Sequence, residues 1–438
     1  MSHTESRLEN QSIGALQIRV ALLCTLAQLF DGFDITSISM AVPALIRVWH
    51  QPGAAFANTF VMSSVGIMIG ALGSGPLGDR IGRKPVMIGA LLILGITSLA
   101  CTQAGSISEL VIYRLFTGIG IGAVMPVTVA LSSDYIPVRL RAVTIMIVFT
   151  GSPLGGFLGK QIVAQLLPIY GWPAIFWIGG LLPLALIPVM LLWLPESPRF
   201  LLAKGRLTDS AKRLLARLDI DYSAPSHELD VAQGNPVAGL FRDGLGATTI
   251  LIWLLYFANL MSLYLVSYWM PTVLSLSGLS PADAVAASSF ADAGPLISIF
   301  LVVPLATRFG PPNVLTVMLF TGILSVAAIG LLNLPYTVLL LVLFLIGACT
   351  VGSMTGINGF TGALYPARVR NTGMGWALGV GRLGGIAGPW VGGYLLGQGW
   401  PPRQIFLVTC VTAGMATVTM IALGVRGRRQ ARAVLREA

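Results

Sequence analysis

Stretches of about 20 consecutive apolar residues, each enough to cross a hydrocarbon layer of ~30 Å at about 1.5 Å per residue, follow one another along nearly all of this 438-residue chain. They lie near 18–40, 56–77, 85–104, 109–131, 141–166 and 173–194, and again near 247–272, 284–307, 313–332, 337–361, 372–396 and 403–425. In lipid each such run has to satisfy its own backbone hydrogen bonds, so the runs are expected to be helices. Only 10% of residues are charged and 55% are hydrophobic, against roughly 25% charged in a soluble domain. An ordinary soluble protein is excluded. The 27 Lys and Arg against 17 Asp and Glu leave a net charge of +10. In a soluble protein that excess suggests nucleic acid; between apolar spans it reports orientation in a bilayer, and no nucleic-acid partner is expected. With twelve spans both termini share one side, and if that side is cytoplasmic, 22 of the 27 basic residues fall in cytoplasmic segments and only Arg47 and Arg403 in outer loops. Arg114, Lys160 and Arg382 remain inside spans. The polar, acid-containing start MSHTESRLENQSIG lacks the basic region and cleavage site of a removable signal peptide, so the first span is expected to stay. Cys24, Cys101, Cys349 and Cys410 each stand alone in apolar sequence with no metal spacing, and neither a metal nor a cofactor is expected.

The expected organisation is a six-helix bundle over 1–194, a cytoplasmic loop over 195–246 with a short helix around TDSAKRLLARL, a second six-helix bundle over 247–425 and a basic cytoplasmic tail over 426–438. The halves repeat. At an offset of 229, Pro137, Arg139 and Arg141 fall on Pro366, Arg368 and Arg370, and Gly155, Gly156 and Gly159 on Gly384, Gly385 and Gly388. At an offset of 228, Pro43 falls on Pro271, Arg80 on Arg308 and Gly82 on Gly310. Internal six-helix repeats imply two pseudo-symmetric bundles with a substrate held at the repeat interface. Glycine clusters such as GSPLGGFLG and GVGRLGGIAGPWVGG let helices approach closely.

A charge in the bilayer is costly, so each ionisable residue within a span is a candidate for function. Counted from Arg19, Asp31 lies about 18 Å and Asp34 about 22 Å from the cytoplasmic face, on one side of the helix. Both suit proton or substrate coupling; a buried acid holding helices together is the alternative. The repeat puts Asn259 at the Asp31 position. Arg382, about 18 Å into its span and flanked by glycines, suits a carboxylate held by two parallel hydrogen bonds, or else a structural ion pair. Arg114 matches Asp34 in depth, with snorkelling to headgroups as its alternative. Lys160, about 28 Å along from Arg141, is expected to reach outer water. Asp292, about 24 Å from Arg308, fits a role in coupling or a wetted lining equally. Phe33, Tyr256, Asn259, Tyr264, Asn358 and Trp376 can be ordinary packing singly; as a set, they suit a ligand that is flat, partly apolar and anionic.

No GxxxxGK[ST] loop occurs, which excludes an ATP-driven pump. His3, His50 and His227 all lie in loops and no hydrolase or metalloprotease motif appears, so an enzyme is not expected. The turn after the second span reads Gly75-Pro76-Leu77-Gly78-Asp79-Arg80-Ile81-Gly82-Arg83-Lys84. It resembles the GxxxDRxGRK signature of the major facilitator superfamily throughout. The segments DGFD (Asp31 to Asp34), RLFTGIGIGAVMP, LPESPRFL and YPARVRNTGMGWALGVGRLGGIAGP resemble the aromatic acid:proton symporter family within it. The resemblance implies an all-α polytopic membrane protein with 12 transmembrane helices in two bundles, and a gating loop at Gly75, Asp79, Arg80, Gly82, Arg83 and Lys84. It also implies a proton-coupling role for Arg114 beside Asp31, Asp34 and Asp292. The function it implies is proton-coupled import of a small aromatic acid through the cytoplasmic membrane of a bacterium, by a monomer. A second copy of the signature is reduced to Ala306-Thr307-Arg308-Phe309-Gly310-Pro311-Pro312, so Asp79 has no acidic counterpart. Carriers or exporters of nicotinate-like acids, sugars or drugs remain alternatives, although a drug exporter has no need of Arg382.

Overall fold

The computed structural model describes residues 14–204, 237–242 and 244–437, so the helix expected around TDSAKRLLARL lies outside the described residues. The first half of the chain forms α1 (Ala15–Trp49), α2 (Ala57–Ile81), α3 (Arg83–Cys101), α4 (Ile107–Tyr135), α5 (Val138–Phe149), α6 (Gly151–Tyr170), α7 (Pro173–Trp193) and α8 (Pro198–Lys204). The second forms α9 (Gly246–Leu276), α10 (Pro281–Ser288), α11 (Phe290–Phe309), α12 (Pro311–Leu331), α13 (Tyr336–Leu364), α14 (Ala367–Gly397) and α15 (Leu407–Glu437). No strand occurs among the described residues. Eleven helical stretches there are long and apolar enough to cross a bilayer. The span expected near 372–396 is not among them: α14 has the length, 31 residues, but its run of glycines around Arg382 dilutes its apolar character.

Helix ends repeat with the sequence. Between α2 and α3 the chain turns at Gly82 with φ of 105°, and between α11 and α12 it turns at Gly310 with φ of 84°, a backbone conformation that L side chains resist. After α4 and α13 the residues preceding proline, Ile136 and Tyr365, are driven to extended backbone, so Pro137 and Pro366 begin the next helices. Local capping sets other starts. Ser106 Oγ accepts the Glu109 N–H at 3.3 Å while Glu109 Oε2 accepts the Gly105 N–H at 3.0 Å. Ser280 Oγ accepts the Asp283 N–H at 3.1 Å ahead of Pro281 at the first helical position.

By internal packing the chain divides into two compact units. Unit one takes the described residues of Met1–Ile35, Val65–Gly155 and Phe176–Val231. Its core includes Leu23, Met87, Leu91, Val124, Leu131 and Met190. Unit two takes those of Thr36–Ser64, Gly156–Ile175 and Ala232–Ala438, with Ile252, Leu255, Leu315, Ile357 and Met420 in its core. The units therefore cut across α1, α2, α6 and α7.

Lipid supplies no hydrophobic drive to bring apolar helices together, so close packing has to do it, and small residues make close packing possible. In unit one Gly155 faces the carbonyl of Leu29, and in unit two Gly384 faces the carbonyl of Phe257, both so closely that a Cβ would overlap the oxygen. Gly66 against Leu115 and Gly294 against Phe344 repeat the arrangement between α2 and α4 and between α11 and α13. The paired positions differ by 228 or 229 residues, so the repeat extends to the contacts themselves. Gly155→Ala and Gly384→Ala are expected to lower stability by about 1–3 kcal/mol each through overpacking, read from denaturant unfolding in detergent. Gly375→Ala and Gly379→Ala, on the same helix as Gly384 but with nothing within 4 Å of the added carbon, serve as the neutral comparison.

Candidate functional site

In unit one, α1 carries Asp31, Phe33 and Asp34 past α4 and α7. Arg114 of α4 donates from Nη1 to Asp34 Oδ1 at 3.0 Å and from Nη2 to the Asp34 backbone oxygen at 3.0 Å, with both side chains fully buried. The guanidinium thus does not snorkel. It is held by a carboxylate and a carbonyl of one residue, a two-point grip that fixes its orientation. Asp31, one turn earlier, is buried as well. Gly179 makes room for this group: a Cβ there would stand 3.2 Å from the Phe33 ring and 3.4 Å from Asp34 Oδ1. Phe33 therefore packs against α7 next to the ion pair.

Unit two contains the other ring-binding candidates and pairs several of them. Arg382 Nη1 on α14 donates to the Tyr264 hydroxyl on α9 at 2.8 Å. The Tyr256 hydroxyl donates to Asn358 Oδ1 at 2.6 Å, and Asn259 Nδ2 reaches Met354 Sδ at 3.5 Å. Aromatic rings continue from Tyr264 to Tyr268 at 5.6 Å, from Tyr268 to Phe60 stacked at 5.0 Å, and from Phe60 to the edge of Trp269 at 5.0 Å. Gly384, Gly385 and Gly388 on α14 bring α9 close enough for this; a Cβ on Gly385 would stand 2.9 Å from the Tyr264 ring. Phe60, Tyr268 and Trp269 were not among the sequence candidates. The available signal is the spacing of Tyr264 and Tyr268, four residues apart and so on one helix face. Trp376 lies apart from this chain of rings, half-exposed and stacked on Trp253 at 5.7 Å.

Lys160 corrects an expectation. Rather than reaching outer water, its ammonium is buried and lies 2.6 Å from Asp292 Oδ2, with side-chain exposures of 3% for Lys160 and 20% for Asp292. Its neighbours on α6 repeat the contact: Gln161 Nε2 donates to Ser289 Oγ at 2.8 Å, and the Phe157 ring meets the edge of Phe290 at 6.4 Å. One face of α6 is thereby turned onto α11, and a chain-length count of depth cannot register which way a side chain turns.

The signature turn is organised by acids outside it. Glu196 Oε1 accepts the backbone N–H of Arg83 at 2.8 Å, of Lys84 at 3.2 Å and of Ser197 at 2.8 Å, placing a negative charge at the N-terminus of α3 where the helix dipole favours it. Asp134 at the end of α4 pairs with Arg83 and with Arg199 and accepts from Ser197 Oγ at 2.5 Å. Lys84 Nζ donates to the Leu191 carbonyl at 2.7 Å. Asp79 and Arg80 are exposed at the end of α2, and Gly75 has open space around it. Glu196 and Asp134 are further residues that the motif alone did not point to. Among the described residues no group of His, Cys, Asp and Glu could hold a metal ion.

Comparisons with known proteins agree with this layout. The profile of the Major Facilitator Superfamily matches residues 24–341 and 252–437. The 4-hydroxybenzoate transporter PcaK of Pseudomonas putida is 35% identical over 426 residues, covering 96% of this chain and 95% of that protein. The gallate transporter of the same species is 35% identical over 421 residues, covering 95% and 94%. Among solved structures, the partially occluded inward-open xylose transporter XylE from E. coli superposes with a TM-score of 0.71 at 18% identity, covering 93% of this chain and 98% of that one. That likeness carries the fold alone.

The Asp34 and Arg114 pair makes a direct prediction. Removing one partner of a buried pair leaves an uncompensated charge and costs about 3–5 kcal/mol. Arg114→Met is expected to destabilise the protein by that amount. Adding Asp34→Asn to it, which removes the stranded charge, is expected to recover most of the loss in the same unfolding measurement.

Proposed function

This chain belongs to the Major Facilitator Superfamily, and we propose that it imports a small aromatic carboxylate of the benzoate or hydroxybenzoate type, together with protons, by alternating access. It is a multi-pass membrane protein. The membrane is the bacterial cytoplasmic membrane in this reading, with both termini in the cytoplasm and the protein acting as a monomer. The repeats over 1–194 and 247–425 are the parts that move, joined by the stretch 195–246. The observation that carries the substrate class is Arg382 hydrogen-bonded to Tyr264 at the head of a run of aromatic rings. A planar cation suits a carboxylate, and stacked or edge-on rings suit an aromatic body. Relatives named for 4-hydroxybenzoate and gallate, 35% identical across nearly the whole chain, support the same class.

In this reading Arg382 holds the carboxylate. Tyr264 orients Arg382, and Tyr256, Asn358 and Asn259 supply polar groups for ring substituents; Trp376 is the outlying member of the set. Asp31 and Asp34 with Arg114 form one proton-responsive group and Asp292 another, and Phe33 packs the first. A nearby cation favours an ionised carboxylate and a dry environment the neutral one, so a change of surroundings during the cycle loads and releases a proton without histidine. The gating role belongs to the turn Gly75, Asp79, Arg80, Gly82, Arg83 and Lys84.

Uptake of radiolabelled 4-hydroxybenzoate or benzoate into energised vesicles tests the reading. A protonophore is expected to abolish accumulation and sodium removal to leave it intact; the reverse result sinks proton coupling. Arg382→Lys keeps the charge but loses the two-pronged geometry and is expected to raise the half-saturation constant. Arg382→Ala is expected nearly to abolish transport of acids, and an affinity equal to wild type in a direct binding assay removes Arg382 from the site.

A further inference from the structure

We propose that Lys160 is a second carboxylate-binding cation: Asp292 occupies it when substrate is absent, and the substrate carboxylate takes Asp292's place. The inference rests on the proposed function for its substrate class and goes beyond it in the site. Among the described residues of the spanning helices, two basic side chains are buried and paired with acids, Arg114 and Lys160, and the two are held differently. Arg114 is gripped at two points by Asp34. Among the described residues the ammonium of Lys160 is paired with one carboxylate oxygen, at 2.6 Å, and can turn its three donors to another acceptor. Of that pair the cation is sealed, at 3% exposure, and the Asp292 oxygen it touches is buried with it, while the Asp292 side chain as a whole is 20% exposed and offers the one edge at which an exchanging carboxylate would arrive.

The repeat supplies an independent argument. Gly156 and Gly385 are equivalent positions, and each leaves a notch filled by the partner of a cation in a spanning helix. At Gly385 the notch holds the ring of Tyr264, which is bonded to Arg382; an added Cβ would stand 2.9 Å from it. At Gly156 the notch holds the carboxyl group of Asp292, which is paired with Lys160; an added Cβ would stand 2.9 Å from its carbon. The place that admits an aromatic partner in one half admits a carboxylate in the other. A buried ion pair is weak grounds for stability, since apolar replacement of both partners is often neutral, so packing alone gives no reason for this one. Charge balance then links substrate to proton. When an acid anion takes Lys160, Asp292 loses its cation, and a proton from water on Asp292 restores neutrality, so one anion and one proton enter together.

The test is direct binding to purified full-length protein. The ligands are the tightest of benzoate, 4-hydroxybenzoate and gallate, together with its neutral primary amide. Asp292→Asn removes the competitor and is expected to tighten acid binding at least fivefold without tightening the amide, and adding Lys160→Met is expected to cancel the gain. No gain, or a gain that survives loss of Lys160, overturns the proposal while leaving aromatic-acid transport standing. No acid binding by the wild type overturns the proposed function itself, and this inference with it. Should Asp292→Asn fail to fold, the neutral pair Lys160→Met/Asp292→Asn decides: acid binding at least tenfold weaker with the amide unchanged is expected, and wild-type acid binding refutes the site.

Discussion

Helices in lipid gain nothing from hiding apolar surface from one another, and in this protein they are joined where a glycine lets one backbone touch the next. Gly155 against Leu29, Gly384 against Phe257, Gly66 against Leu115 and Gly294 against Phe344 are four instances of one contact, made twice in each repeat. Neighbouring glycines on the same helices also seat polar partners. Tyr264 reaches Arg382 because α14 presents glycine where any side chain would push α9 away. Asp292 lies beside α6 for the same reason at Gly156. The glycines therefore build cavities for polar partners as well as close contacts, and the same residues that hold the bundle together place its charges.

Those charges are handled in two ways that suit two tasks. Arg114 is held as a fixed element, forked, doubly bonded and sealed with Asp34. Lys160 meets Asp292 through a compact ammonium at one carboxylate oxygen. The choice of Arg in one place and Lys in the other follows from their chemistry, since a planar guanidinium rewards rigid geometry and an ammonium tolerates a change of partner.

Much of this was legible before any coordinates. Apolar runs placed the helices, and the offset repeat anticipated the matching turns at Gly82 and Gly310 and the breaks at Pro137 and Pro366, because backbone-limited residues mark turns wherever they occur. Asp34 and Arg114 are level by rise, and their pairing needed in addition that α1 and α4 turn those faces to each other, which rise does not supply. Lys160 departs from the sequence expectation because rise along a helix fixes height and says nothing of azimuth, and its side chain turns inward onto Asp292. The pairing of Tyr256 with Asn358 joins helices about a hundred residues apart, 102 in sequence, and no local pattern announces it. The α14 helix failed the apolar test for the reason it matters: its glycines and its arginine are what unit two packs around.

Helix ends are ordinarily where a structure frays, exposing amides that exchange with water long before the core opens. The start of α3 is an exception. Three amide hydrogens, those of Arg83, Lys84 and Ser197, converge on one oxygen of Glu196, and the Tyr135 hydroxyl donates to the Glu196 carbonyl at 2.6 Å. These bonds tie the turn between α2 and α3 to the segment after α7 through one residue. The amides at this junction are therefore expected to exchange more slowly with water than those of helix ends that lack such a cap.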